Sequence, residues 1–284
     1  MEYYAIITAS VILFALTFFF NDRYQKESGS DMGATFIFSL INSLAGLLCL
    51  LALNRFRFEF TPFTLVMATL TAINAIAYMF CSLKAFAHIN LSLYSIFAML
   101  GGMLLPFVVG IVFYDESLTV GKSVSLVLII AALAFTVKRG QKKNGGVYYV
   151  GVFILNGMSG VLAKIFQSAP YEAASAASYS IWSALITVVI SAVMLIALGK
   201  RVKKPSGKAI ALSSCFGVLS KIGNYMLLIA LAVLPASVQY PFVTGGTMIV
   251  STAIALICRQ KPSFREYISM GLSFVGVLIL VFWA

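Results

Sequence analysis

Ten apolar runs separated by short polar breaks make up almost the whole chain. They cover approximately 3–21, 31–53, 62–87, 91–114, 119–137, 147–168, 172–198, 208–234, 237–258 and 266–284. Each is close to the roughly 20 residues that a helix needs to cross the hydrocarbon of a bilayer. The breaks, such as "NDRYQKESGS", "NRFRFEFTP", "KRGQKKNGG" and "GKRVKKPSG", are rich in Gly, Pro or charge. The runs lack the period-two alternation of a lipid-facing strand, so barrel strands are not predicted. The pattern predicts an all-α integral membrane protein with ten transmembrane helices. Several breaks are so short that consecutive helices must be antiparallel neighbours.

Composition agrees with this reading. Of 284 residues 61% are hydrophobic and 10% charged, far below the charged fraction of roughly a quarter usual in soluble domains. The opening "MEYYAIITASVILFALTFFF" lacks a basic leader and a small-residue cleavage site, and is read as the first span. A net charge of +11 would point to nucleic acid in a soluble chain. Here most of the Lys and Arg sit in the breaks, where orientation and contact with anionic headgroups explain them, so the bilayer and not nucleic acid is the expected partner. Cys49, Cys81, Cys215 and Cys258 are scattered singly, and neither disulfides nor a metal site is expected.

The chain also repeats itself. "VILFALTFFFNDRYQ" (11–25) aligns without gaps on "FILNGMSGVLAKIFQ" (153–167). "YM" at 78–79 recurs at 225–226, "GG" at 101–102 recurs at 245–246, and "DESLT" falls opposite "RQKPS". The common offset divides the chain into residues 1–143 and 144–284, five spans each. Because five is odd, the second half must enter the membrane in the opposite sense. Such inverted repeats are common in secondary transporters, with the substrate site near the midplane between the halves.

With these features the sequence resembles the drug/metabolite transporter (DMT) superfamily, specifically its ten-helix EamA-type permeases. The resemblance runs over the whole chain. It is carried by the two five-helix halves, the acidic turn "YDESLT" with its counterpart "CRQKPS", and "ALAVLPASVQYPFVTGG" between the eighth and ninth spans. It implies alternating access through a central cavity lined by both halves, with the fifth and tenth helices as peripheral supports. It also implies a multi-pass protein of the bacterial cytoplasmic membrane with cytoplasmic termini. The charge count argues otherwise. With the N-terminus inside, four Lys and Arg (Arg55, Arg57, Lys122, Lys164) would face the cytoplasm and fourteen the outside. The positive-inside rule therefore favours external termini.

The candidate chemistry is a lone cation. All nine carboxylates lie at span ends or in breaks, which speaks against a carrier trading lipophilic cations for protons. Lys221, in contrast, sits near the centre of "AIALSSCFGVLSKIGNYMLLIALAVLP". A central lysine costs about 2.5–3.5 kcal/mol on insertion, which an apolar helix can offset. Once folded, it needs water, a carbonyl or an anionic guest. Asn224 and Tyr225 follow at i+3 and i+4 on its face. The offset places Asn74 opposite Lys221 and Tyr78 opposite Tyr225, so two ladders are predicted to meet across the pseudo-twofold axis.

Tyr94, Asn156, Gln239, Tyr240 and Thr244 complete the predicted lining. The pairs Gly101–Gly102 with Pro106, and Gly245–Gly246 with Pro241, are read as close packing or as a hinge. Lys84 and Lys164, near span ends, are expected to snorkel. No nucleophile–base set, nucleotide loop or cofactor motif appears, so neither an enzyme nor a cofactor is expected. The resulting expectation is a secondary permease for a small polar metabolite, anionic or zwitterionic, such as an amino acid or organic acid. Its cycle would be coupled to a proton or to a counter-substrate. Two rival readings are a low-specificity exporter of neutral aromatic or cationic compounds, and a non-transporting membrane scaffold or binding protein.

Overall fold

A computed structural model describes residues 2–113, 119–136, 146–199, 202–231, 236–260 and 262–283. These form α-helices without strands: α1 (Glu2–Ser28), α2 (Met32–Leu53), α3 (Pro62–Phe86), α4 (Leu91–Phe113), α5 (Val120–Thr136), α6 (Gly146–Ser168), α7 (Ala176–Leu198), α8 (Gly207–Leu231), α9 (Ala236–Ile257) and α10 (Phe264–Phe282). Six of them (α1, α2, α3, α6, α7 and α8) contain stretches long and apolar enough to cross a membrane. The "YDESLT" turn, apart from Thr119, and the boundary between residues 143 and 144 lie outside the described residues.

Local chemistry sets where the helices start. Asp31 caps α2, its Oδ1 accepting from the Ala34 N–H at 2.7 Å. Thr61 caps α3 in the same way, with Pro62 in the first turn. Ser175 caps α7. Two boundaries differ from expectation. The helix α1 runs on through the charged stretch to Ser28, because its polar residues find partners. Asp22 is paired with Lys26 at 2.7 Å, one turn on, and the buried Tyr24 donates to the Ala34 carbonyl at 2.8 Å. Conversely α7 starts at Ala176, not 172. The Ala174 N–H donates to Thr64 Oγ1 and the Ser175 N–H to Glu59 Oε2, which holds the approach to the helix off the helical path.

Eight helices close into a ring in the order α1, α8, α2, α7, α3, α6, α4, α9 and back to α1. Each pair of neighbours around it joins one of the first four helices to one of α6–α9. The remaining two, α5 and α10, pack on each other outside the ring, against α4 and α9. This matches the peripheral place expected of them.

The contacts also fix directions. The helix α1 is antiparallel to α8, since Ser10 meets Gly223 and Glu27 meets Ser206. It is parallel to α9, through Tyr4–Phe242 and Val11–Gly246. The α2–α8 pair is parallel, with Gly33 beside Val202 and Asn42 beside Gly217. Likewise α4 and α6 are parallel, through Phe97–Tyr149 and Pro106–Gly160, whereas α4 opposes α9 through Leu91–Gln260 and Leu100–Met248. Asn74–Leu155 and Cys81–Gly151 make α3 antiparallel to α6, and Thr64–Ala174 and Thr71–Tyr179 make it parallel to α7. Ser125–Gly276 and Ser269–Ala132 set α5 against α10. Helices five apart in order therefore run in opposite senses.

Packing differs between the two ends of the ring. At the end carrying the α1–α2 turn and the Lys203–Lys208 segment (the basic end), two aromatic-rich clusters join at Tyr78. One includes Phe18, Phe86, Tyr94, Tyr149 and Ala255; the other includes Tyr24, Phe38, Met79, Leu83 and Phe216. Together they draw on α1, α2, α3, α4, α6, α8 and α9. At the end carrying the termini, the described core splits into three patches. These are Ile7/Val11/Ala230/Val243, Leu47/Leu50/Ile181/Ala184 and Met67/Leu162/Phe166. Among the described residues, the core is continuous across the middle at the basic end, which it seals.

Candidate functional site

Lys221 lies at the α2–α8 crossing. Gly217, one turn earlier on α8, comes so close to α2 that a Cβ on it would collide with the Asn42 carbonyl. That approach leaves a groove at Gly46, and the methylene stem of Lys221 fills it. Gly46 is on the face of α2 opposite the exposed Leu44 and Leu48, two residues or about 200° away on either side. The stem therefore rests on the inner flank of α2. Lys221 is only partly accessible, and it makes no hydrogen bond or ion pair with any described residue.

Two amides flank it. Asn224 is exposed although it stands on the side of α8 opposite the exposed Cys215, so this helix has free surface on two faces; its Nδ2 donates to the Ser220 carbonyl at 2.8 Å. Asn42 is buried one turn from Gly46, and its Nδ2 has no hydrogen-bond partner. A lysine, a buried amide without a partner for its Nδ2 and an accessible amide thus lie within about a turn of one helix crossing near the middle of two spans. Ammonium and amide N–H groups are the donors from which carboxylate and phosphate oxygens accept. Tyr225, 38% exposed, projects from the same helix.

The other predicted residues are distributed differently. The ladders on α3 and α8 do not meet: α3 packs on α6 and α7, and α8 on α1 and α2. Asn74 is spent on α6, its Nδ2 donating to the Leu155 carbonyl at 2.9 Å and to Ser159 Oγ at 2.8 Å. Asn156 ties α6 to α4 through the Ala98 carbonyl at 2.6 Å. Both amides bind helices together here. Tyr78 and Tyr94 do come together, their hydroxyls 2.6 Å apart. The Tyr94 hydroxyl is also 2.7 Å from Ser82 Oγ, which accepts from Asn21 Nδ2 at 2.6 Å. This chain crosses α1, α3 and α4 within the seal of the basic end, where Phe86 stacks on Tyr94 at 3.9 Å and Phe18 meets it edge-on.

Thr244 is buried in α9. Gln239, Tyr240 and Pro241 belong to the first turns of α9, and their side chains lie outside the described residues. The glycines mark close approach. A Cβ at Gly101 would strike the Phe153 carbonyl, Gly102 faces Asn156, and Gly160 faces Pro106. Gly246 lies on Val11, and Gly245 is buried beside it.

Sequence reasoning missed Gly46, Gly217 and Asn42. Single glycines in separate spans form no local motif; an asparagine at mid-span in α2 was the available signal.

No family model and no curated protein matches the chain. A solved structure described as "Crystal structure of protein" is similar over 98% of this chain and 96% of that chain, with a TM-score of 0.67 and 15% identity. At that identity the likeness establishes a shared helical fold and nothing of function.

Proposed function

We propose that the chain is a secondary membrane carrier of the drug/metabolite transporter kind. Its ten helices would all span the bilayer as two inverted five-helix repeats, and it would move a small anionic or zwitterionic metabolite by alternating access. The observation that carries this reading is the ring. Its ring neighbours come from opposite halves, helices five apart run in opposite senses, and the described core seals it at the basic end. A carrier resting with one gate shut has this form. The parallel α2–α8 pair would present Lys221 to the cargo's carboxylate or phosphate, with Asn42 and Asn224 orienting the rest. Coupling to a proton or a counter-substrate fits the absence of any nucleotide motif in the sequence.

Reconstitution into liposomes tests both parts. Counterflow of a radiolabelled amino or organic acid is the expected result for the wild-type chain, and Lys221→Met should abolish it while the protein stays folded. Counterflow with no candidate anion would remove the carrier reading. Full counterflow by Lys221→Met would remove the lysine's role and leave the carrier.

A further inference from the structure

The basic end holds a second arrangement of charge, independent of Lys221. The last turn of α1, the start of α2 and the segment leading into α8 enclose a cavity of about 180 Å³. Its polar lining includes Tyr24, Glu27, Asp31, Lys203, Lys204 and Ser206. The charges differ in their commitments. Glu27 is spent within the protein: Lys208 Nζ lies 2.9 Å from one carboxylate oxygen, and Ser206 Oγ donates to the other at 3.0 Å. Asp31 holds the start of α2 through the Ala34 N–H. Lys203 and Lys204 are exposed and have no partner among the described residues. The cavity floor is firm, because the Tyr24 ring is fully buried, packs on Phe38 at 4.5 Å, and is anchored through its hydroxyl.

We propose that this cavity binds a phosphate group, with Lys203 and Lys204 supplying the charge. Two exposed lysines at the mouth of a polar hollow outnumber Asp31, the one lining carboxylate without a cationic partner among the described residues, and leave a net positive charge that a phosphate matches. Arg23, Lys26, Lys208, Arg259 and Arg265 lie at the same end, which the positive-inside rule assigns to the anionic cytoplasmic leaflet. The phosphate could come from an anionic lipid headgroup or from solution, and the chemistry of the cavity is the same for both.

Full-length protein in a neutral detergent, titrated with phosphatidylglycerol and read by native mass spectrometry and by the rise in Tm, provides the test. Lys203→Gln/Lys204→Gln should weaken half-saturation by about tenfold or more. Arg55→Gln/Arg57→Gln, at the opposite end, should leave it unchanged. Competition by millimolar inorganic phosphate would assign the cavity to free phosphate, and none would assign it to the headgroup. Equal losses in the two double variants would mean unspecific charge attraction and overturn the proposal, as would unchanged binding in the lysine variant. Both lysines are exposed, so an unaltered lipid-free Tm is expected and shows that the variant folds.

Discussion

At Gly101 the α4 backbone meets the α6 backbone, and one added methyl group measures how closely. In Gly101→Ala the new Cβ collides with the Phe153 carbonyl, which cannot swing aside as a side chain can. Gly157 on the facing helix is just as tight, its added Cβ coming 2.5 Å from the Gly101 carbonyl, so neither surface has slack. Relief requires α4 and α6 to separate, which also stretches the 2.6 Å bond from Asn156 to the Ala98 carbonyl. Overpacking of this kind costs about 1–3 kcal/mol, and the weakened hydrogen bond about 0.5–1.5 kcal/mol. Replacing a mid-helix glycine by alanine returns about 0.5–1 kcal/mol. The net expectation is a loss of about 0.5–4 kcal/mol, or roughly 1–16 °C in Tm for a chain of this size. Gly271 in α10 is the control, because nothing lies within 4 Å of its added Cβ. Gly271→Ala should be neutral or slightly stabilising. Thermal unfolding of both variants in detergent, followed with a thiol-reactive fluorophore, reads the difference. A Gly101→Ala protein that melts at or above the wild-type temperature would refute the backbone contact.

Tyr94→Phe removes the hydroxyl shared by Tyr78 and Ser82, and should cost about 1–3 kcal/mol in the same melt. Tyr78→Phe should cost less, because Tyr94 keeps Ser82; equal losses would mean that the chain of hydroxyls is not shared. Gln260 accepts from the Leu91 N–H at 3.0 Å and reaches Asp22 at 3.5 Å, so it bolts α9 to α1 and α4 at the basic end. In Gln260→Ala, Cys81, which packs on the seal, should react faster with a maleimide applied from that side. A cysteine introduced at Lys203 should label from the cytoplasm and one at Arg57 from outside; the reverse would place the termini inside.

The boundaries of most spans were legible because Gly, Pro and charge interrupt helices through local backbone chemistry. Where a tertiary contact outweighs that chemistry, the sequence misleads. The stretch "NDRYQKES" reads as a loop, yet Asp22 and Tyr24 are buried with partners on α1, α2 and the end of α9. Gly101–Gly102 announces close packing because the two glycines are adjacent, whereas the Gly46–Gly217 contact joins single glycines 171 positions apart, a difference visible only once the helices are paired. The repeat offset has a similar limit. It states which positions are equivalent, not which touch. Asn74 and Lys221 are equivalents that the offset made partners, but in the ring α3 serves α6 and α7 while α8 serves α1 and α2.

The setting of Lys221 bears on why a charge survives at mid-span. During insertion the rest of α8 offsets it, since the window around Gly207–Leu227 keeps a mean hydropathy of 1.2. After folding, a lysine kept for structure would be expected to carry a carboxylate or several carbonyls, because an unpaired buried cation costs several kcal/mol. Lys221 has neither among the described residues. What fixes it is packing: the stem in the groove at Gly46 orders the side chain through its methylenes and leaves the ammonium uncommitted. Holding the apolar part of a side chain while leaving its charge free is how a site is prepared for a guest of opposite sign. On that argument Gly46 matters as much as the lysine. Adding a Cβ there, 2.8 Å from Lys221 Cγ, would move the stem and with it the charge, without itself carrying any polar group toward the proposed cargo.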